Sequence, residues 1–87
     1  MATAEQLRAA RALLGWSQSD LAKRAGLSLP TVKRVEGDLG IRVSDQARGK
    51  LRRALETAGI VFLDENGGGV GVRFRKPGSR KHSARVD

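Results

Sequence analysis

Residues 17–37 read SQSDLAKRAGLSLPTVKRVEG, and this stretch decides the fold. Ser17 is followed three residues later by Asp20, which resembles a capping box in which the serine hydroxyl binds a free amide at the start of a helix. The helix that begins there is predicted over residues 18–25. Gly26 ends it, because glycine readily adopts the left-handed backbone conformation that closes many helices.

A second helix follows the turn at once. Ser28 is its cap, and Pro30 is tolerated just inside the start because the amides of the first turn have no intrahelical partner. The helix is predicted over residues 29–36, with Val32 and Val35 facing inward. The stretch therefore predicts two short helices joined by a tight glycine turn.

Further elements flank this pair of helices. Apolar residues spaced three and four apart predict helices over residues 3–14 and 44–58. A β-branched and aromatic run over residues 60–63 comes next, followed by a glycine-rich turn and by apolar residues that alternate over residues 70–74. This pattern is typical of a β-hairpin with one apolar face.

The composition fits one small basic domain. The chain has 87 residues, a formal net charge of +8 and a pI near 11.4. This positive charge attracts polyanions, of which nucleic acid is the commonest partner and anionic membranes the next. No apolar run approaches the ~20 residues of a membrane-spanning helix, and no signal-peptide core is present, so a soluble cytoplasmic protein is expected.

Several function classes are not expected. The chain has no cysteine and its single histidine, His82, lies in a polar segment, so neither a metal site nor a cofactor is expected. The sequence has no nucleophile with a base, no paired carboxylates and no nucleotide-binding loop. We therefore do not expect an enzyme.

Two helices joined by a glycine turn match the helix-turn-helix that reads DNA. The residues also resemble the Cro and repressor (XRE-type) family of transcriptional regulators, at family spacing, over Gly15-Trp16-Ser17-Gln18, Asp20-Leu21-Ala22, Ala25-Gly26-Leu27-Ser28, Thr31-Val32 and Val35-Glu36-Gly37. The resemblance covers about residues 4–58. It implies a mainly α, lambda-repressor-like bundle of four to five helices, to which the C-terminal hairpin is an extension.

The resemblance also implies which residues touch DNA. The helix that begins near Ser28 would lie in the major groove, and the contacts would come from Gln18, Ser28, Leu29, Pro30, Thr31, Lys33, Arg34 and Arg42. Base preference is expected to depend on Arg34, because a bidentate bond from arginine to guanine is worth roughly 1–3 kcal/mol of discrimination. In the same family the positions of Arg11 and Glu36 form a structural ion pair that joins the first helix to the end of the recognition helix.

The hairpin needs a surface that buries it, because an isolated hairpin is only marginally stable in water. We favour a twofold dimer in which the hairpins of two copies join into one sheet through Ile60, Val61, Phe62, Leu63, Val70, Val72 and Phe74. The alternative is packing against the chain's own helices. On this interpretation residues 1–59 are the DNA-binding domain, residues 60–76 the dimerisation element and residues 77–87 a flexible basic tail.

These observations predict a sequence-specific transcriptional regulator of double-stranded DNA. It would be a homodimeric repressor or autoregulator that reads a palindromic operator through the helix at residues 29–36. The alternative is an antitoxin or antiactivator whose hairpin binds a protein partner by strand addition, with or without DNA binding. A nonspecific nucleoid or RNA-binding protein fits the charge, but the sequence lacks the aromatic platform on which single-stranded bases stack.

Overall fold

The computed structural model describes residues 2–37 and 44–75. Within these residues four helices precede two strands: α1 Ala4–Leu14, α2 Gln18–Ala25, α3 Leu29–Gly37, α4 Asp45–Thr57, β1 Ile60–Leu63 and β2 Gly71–Phe74. The predicted mainly helical bundle with a C-terminal hairpin is confirmed. Arg42 and the predicted tail, residues 77–87, lie outside the described residues.

A hydroxyl side chain stands at the start of each described helix, and glycines end two of them. Thr3, Ser17 and Ser44 each accept a hydrogen bond from the amide three residues later, which fixes the first residues of α1, α2 and α4. Gly15 and Gly26 end α1 and α2 with φ of 69° and 71°. Other residues rarely adopt this left-handed conformation, so the glycines allow the chain to turn sharply into the next helix.

The core lies between the four helices and is aliphatic. Every helix contributes side chains to it, because each has apolar residues along one face. The buried helical residues of the core are Leu7, Ala10, Leu21, Ala22, Val32, Val35, Ala47, Leu51 and Leu55. Within the described parts of the chain, no helix has both the length and the apolar character needed to cross a membrane.

The hairpin packs against this same core. β1 and β2 pair antiparallel, with Ile60 opposite Phe74 and Phe62 opposite Val72, so these four side chains share one face of the hairpin. That face lies on the helices, and Ile60 and Phe62 are only 1% and 6% exposed. Ile60 and Phe62, which the sequence analysis places at a dimer interface, are therefore covered instead by the helices of their own chain, the alternative considered there.

Part of the hairpin remains accessible. Val72 and Phe74 are partly buried against the core, and Val61 is partly buried. Leu63, at the end of β1, is 37% exposed, and Val70, just before β2, is 46% exposed. Only the outer face and the turn of the hairpin are therefore left for contacts with another molecule.

A buried amide fixes the hairpin to α1. The Gln6 side chain is almost fully buried, and its Nε2 donates to the carbonyl oxygens of Leu63 at 3.0 Å and Gly71 at 2.9 Å. Its Oε1 accepts from the amide of Thr3 at 2.9 Å, which completes a capping box with the Thr3 hydroxyl. One side chain thus starts α1 and binds both strands.

Candidate nucleic-acid interface

The C-terminal end of α3 is fixed by a buried carboxylate. Glu36 is 2% exposed, and Arg11 of α1 donates to it twice, from Nε to Oε2 at 2.8 Å and from Nη2 to Oε1 at 3.0 Å. Gln18 of α2 donates its Nε2 to the same Oε1 at 3.0 Å. We call Arg11, Gln18 and Glu36 the Glu36 junction. It joins α1, α2 and α3 at one point, and such charge-assisted bonds are stronger than neutral ones.

Backbone carbonyls complete this region. The remaining guanidinium nitrogen of Arg11, Nη1, donates to the carbonyl oxygen of Trp16 at 3.0 Å, in the turn between α1 and α2. Arg8 donates its Nη1 to the carbonyl oxygen of Glu36 itself. Two arginines of α1 therefore hold the end of α3. Arg11 binds the side-chain carboxylate of Glu36, and Arg8 binds the backbone carbonyl of Glu36.

The other end of α3 is open to solvent. Ser28 precedes its first residue, and the Ser28 hydroxyl accepts from the amide of Thr31 at 3.2 Å and lies 2.9 Å from the Thr31 hydroxyl. Pro30 is exposed, and Leu29 is partly buried. The two hydroxyls at this end already bind each other, so a phosphate contact there would share them.

The outer surface of α3 carries two cations. Lys33 and Arg34 are exposed, while Val32 and Val35 on the inner side are fully buried in the core. Neither Lys33 nor Arg34 forms an ion pair with any carboxylate in residues 2–37 and 44–75. Among the described carboxylates, none competes with an external anion for these two charges.

The start of α2 carries a capping box. Ser17 accepts from the amide of Asp20 at 3.0 Å, and Asp20 accepts from the amide of Ser17 at 2.9 Å. The hydrogen bond from the Ser17 amide, followed by the one from its hydroxyl, lowers the pKa of the Asp20 carboxyl below its ordinary value of 3.8, and Lys23 and Arg24 add to this through their charges. Asp20 is therefore a carboxylate at neutral pH and complements the positive end of the helix.

The structure places the predicted site residues in two groups. Six of them lie along the start and outer surface of α3: Ser28, Leu29, Pro30, Thr31, Lys33 and Arg34. Gln18 lies apart from these, partly buried, with its amide nitrogen on Glu36 rather than turned to solvent. Arg11 and Glu36 are in direct contact, and Arg42 lies outside the described residues.

Sequence reasoning missed two sets of residues. Thr3 and Gln6 have the spacing of a capping box, a signal visible in the sequence, although the bonds from Gln6 to the strands are not visible there. Arg24 was also missed, although its guanidinium lies 4.7 Å from the ring centre of Trp16. Within the described residues, no group of three or more His, Cys, Asp or Glu side chains is placed to hold a metal ion.

Comparison with known proteins locates the site within a family. Residues 7–41 match a family model described as Helix-turn-helix. The match contains most of α1, all of α2 and α3, and the whole Glu36 junction. It supports the resemblance to the Cro and repressor type and identifies a DNA-binding helix-turn-helix. No match was found among curated proteins.

Proposed function

Because residues 7–41 match a helix-turn-helix family model and resemble the Cro and repressor (XRE) type, we propose that the chain is a sequence-specific transcriptional regulator that reads duplex DNA with the outer surface of α3. The observation that carries this proposal is the difference between the two ends of α3. Its C-terminal end is fixed to α1 and α2 at the Glu36 junction, and its outer surface presents Lys33 and Arg34, which pair with no carboxylate among residues 2–37 and 44–75. A helix that is fixed at one end and carries exposed cations suits the major groove.

Arg34 is the residue proposed to read a base. An arginine can donate two parallel hydrogen bonds to O6 and N7 of guanine, whereas Leu29 and Pro30 have no side-chain donor. Ser28, Thr31 and Lys33 would contact phosphates, which position the helix on DNA without reading the sequence. Gln18 would reach a phosphate only through the face of its amide that does not bind Glu36, and Arg42 remains a proposed phosphate contact.

The experiment is selection of bound duplexes from a random pool, followed by sequencing and by binding titrations of the selected site. Arg34→Ala is expected to weaken binding to that site about tenfold or more, corresponding to roughly 1.4 kcal/mol or more. Lys23→Ala removes an equal charge from the exposed surface of α2 and is the matched control. A pool without enrichment, or equal losses in both variants, would contradict sequence-specific reading by Arg34.

We also propose that the regulator is a homodimer and represses from a palindromic operator, whose half-sites would lie about 34 Å apart. The backbone of Val72 in β2 supports this. The amide of Arg75 donates to the carbonyl oxygen of Gly59 at 2.8 Å, and because hydrogen-bonded and non-bonded pairs alternate in an antiparallel ladder, the polar backbone groups of Val72 point away from β1. Such an edge can pair with another strand.

Charge along the hairpin favours a second copy as the partner of this edge. Asp64 and Glu65 lie at the turn, and Arg73 and Arg75 lie towards the open end. Two β2 strands paired antiparallel would bring the acidic turn of one copy beside the basic end of the other. Arg73→Glu should shift sedimentation towards the monomer, and adding Asp64→Arg should restore the dimer. A chain that sediments as a monomer without any substitution would contradict the dimer.

A protein partner is the second candidate for the hairpin. The exposed side chains of Leu63 and Val70, near the outward-facing backbone of Val72, suit strand addition by another protein, as in an antitoxin or antiactivator. Copurification of one partner at equal molar amounts, together with loss of that partner on Leu63→Asp, would favour this function over dimerisation.

A further inference from the structure

A pocket between α2 and α4 is not explained by the helix-turn-helix. It has a volume of about 400 Å³ and is lined by the last two residues of α2 and one face of α4, and no residue of α3 lines it. Its lining consists of Arg24, Lys50, Arg53, Thr57 and three alanines. The small alanine side chains leave room for a ligand among longer polar ones.

The charge in the pocket is entirely positive. Lys50, Arg53 and Thr57 recur three and four residues apart, so they share one face of α4 opposite Arg24. None of the lining residues is acidic, and Arg24, Lys50 and Arg53 form no ion pair with a carboxylate in the parts of the chain that the structure describes. Cations held close together repel one another unless an anion lies between them.

Two acidic side chains of α2 and α4 have partners outside the pocket. Glu56 of α4 binds the guanidinium of Arg52 at 2.9 Å, outside the pocket lining. Asp20 of α2 acts on Arg24 through its charge, but its carboxylate accepts the Ser17 amide at 2.9 Å at the other end of the helix. Among the described residues, the cations of the pocket therefore have no carboxylate paired with them.

The donors suit a phosphate group. Two guanidinium groups can each donate two parallel hydrogen bonds to phosphate oxygens, and the Lys50 ammonium and Thr57 hydroxyl add single donors. The volume lies in the lower part of the usual range for small-molecule sites. It admits a phosphate with a small attached group.

We propose that this pocket binds a phosphate-bearing anion. The phosphate would come either from a free phosphorylated small molecule or from the DNA backbone outside the major groove. Arg24 and Ala25 directly precede Gly26, the turn from which α3 begins, so the bound anion would lie beside that turn. The guanidinium of Arg24 also lies over the Trp16 ring, which positions it at the edge of the pocket.

The test begins with pyrophosphate and the free full-length chain, so it does not depend on DNA binding. Calorimetry should give a Kd of about 1 mM or tighter for pyrophosphate. The fluorescence of Trp16, the only tryptophan, should change over the same concentration range, because Arg24 contacts the Trp16 ring and would also contact the bound anion. Arg53→Ala should weaken pyrophosphate binding about tenfold. Arg53→Lys should recover part of it.

Lys23→Ala is the matched control, because Lys23 is an exposed cation of α2 outside the pocket lining. It should change pyrophosphate binding less than about twofold if the pocket, and not the overall charge, holds the anion. Circular dichroism checks that both variants fold. Absence of pyrophosphate binding, or equal losses in Arg53→Ala and Lys23→Ala, overturns the proposal.

Duplex titrations then distinguish the two sources. If the DNA backbone supplies the phosphate, Arg53→Ala lowers duplex affinity and reduces the slope of log K against log salt by about 1, relative to Lys23→Ala. If a free anion is the ligand, the Arg53→Ala and Lys23→Ala variants have the same affinity for duplex DNA, and only the pyrophosphate affinity of Arg53→Ala falls. Both outcomes support a phosphate site.

Discussion

Helix α3 and the hairpin both pack on α1, and each is fixed there by one buried polar side chain, but the chemistry differs. α3 is held by a carboxylate, Glu36, that binds a guanidinium and an amide. The hairpin is held by a neutral amide, Gln6, that donates to two strand carbonyls. A buried charge that loses its partner costs more than a neutral group that does, so α3, the helix proposed to read DNA, has the more demanding attachment.

The largest effect is expected from breaking the Glu36 junction. Arg11→Ala removes three hydrogen bonds and leaves the carboxylate of Glu36 buried beside Gln18 alone. The free energy of unfolding should fall by about 3 kcal/mol, measured by urea denaturation.

The control replaces both charged partners. Arg11→Met combined with Glu36→Leu buries no charge, so this double variant should be more stable than Arg11→Ala alone. A double variant that is less stable than the single one would show that the junction is not governed by the buried charge.

A smaller effect is expected at the hairpin, from Gln6→Glu. The introduced carboxylate would face the carbonyl oxygens of Leu63 and Gly71, to which the amide nitrogen now donates. We expect a loss of about 2 kcal/mol at pH 7 relative to the unmodified chain, measured by urea denaturation.

The same variant should show a defined pH dependence. Only the protonated carboxyl can donate to a carbonyl, through its single O–H, so folding raises its pKa above the unfolded value of about 4.3. The contribution of this one hydrogen bond is then present below about pH 4 and is lost as the pH rises through the raised pKa of the folded state. Equal losses at pH 4 and pH 7 would contradict a donating role for Gln6.

The capping hydrogen bond at Ser17 is exposed, so the stability lost on breaking it can be compared with the losses at the buried Glu36 junction and at Gln6. Ser17→Ala removes the acceptor of the Asp20 amide at the exposed start of α2 and should cost about 1 kcal/mol in thermal unfolding. Ser44→Ala, at the start of α4, is the comparison. If Ser17→Ala costs as much as Arg11→Ala, burial does not explain the difference between the sites.

The smallest effect concerns the pKa of Asp20. Because hydrogen bonds from Ser17 lower this pKa in the folded chain, the carboxylate stabilises the fold above the unfolded pKa, and that contribution is lost as the pH falls through the lower folded value. Carboxyl chemical shifts should titrate below pH 3.8. In Ser17→Ala the midpoint should move up towards the ordinary value, and an unchanged midpoint would be evidence against Ser17 as the cause.

The helices were predictable because their signals are local. Ser17, Asp20 and Gly26 fix the start and end of α2 through neighbouring backbone groups, and the structure has the capping bonds there. The contact between Arg11 and Glu36 came from the family resemblance, since nothing in the spacing of 25 residues indicates it. Helix starts and ends, which depend on residues within one helical turn of each other, could therefore be predicted from the sequence.

The packing of the hairpin was not predictable in the same way. The alternation of Val72 and Phe74 shows that one face is apolar, but it does not show which surface covers that face. The helices of the same chain cover Ile60 and Phe62. Gln6 binds Leu63 and Gly71, which follow it in the sequence by 57 and 65 positions. Likewise, the pocket cations come from two helices separated in sequence, and no local pattern brings Arg24 to Arg53.

The bonds from Gln6 to Leu63 and Gly71 have a consequence for the order of events during synthesis. The partners of this side chain emerge from the ribosome 57 and 65 residues after it, and the hairpin supplies Ile60 and Phe62 to the same core. Closing so long a loop is slow compared with forming a helix. A nascent chain can therefore form α3 well before it has the completed core against which α3 packs.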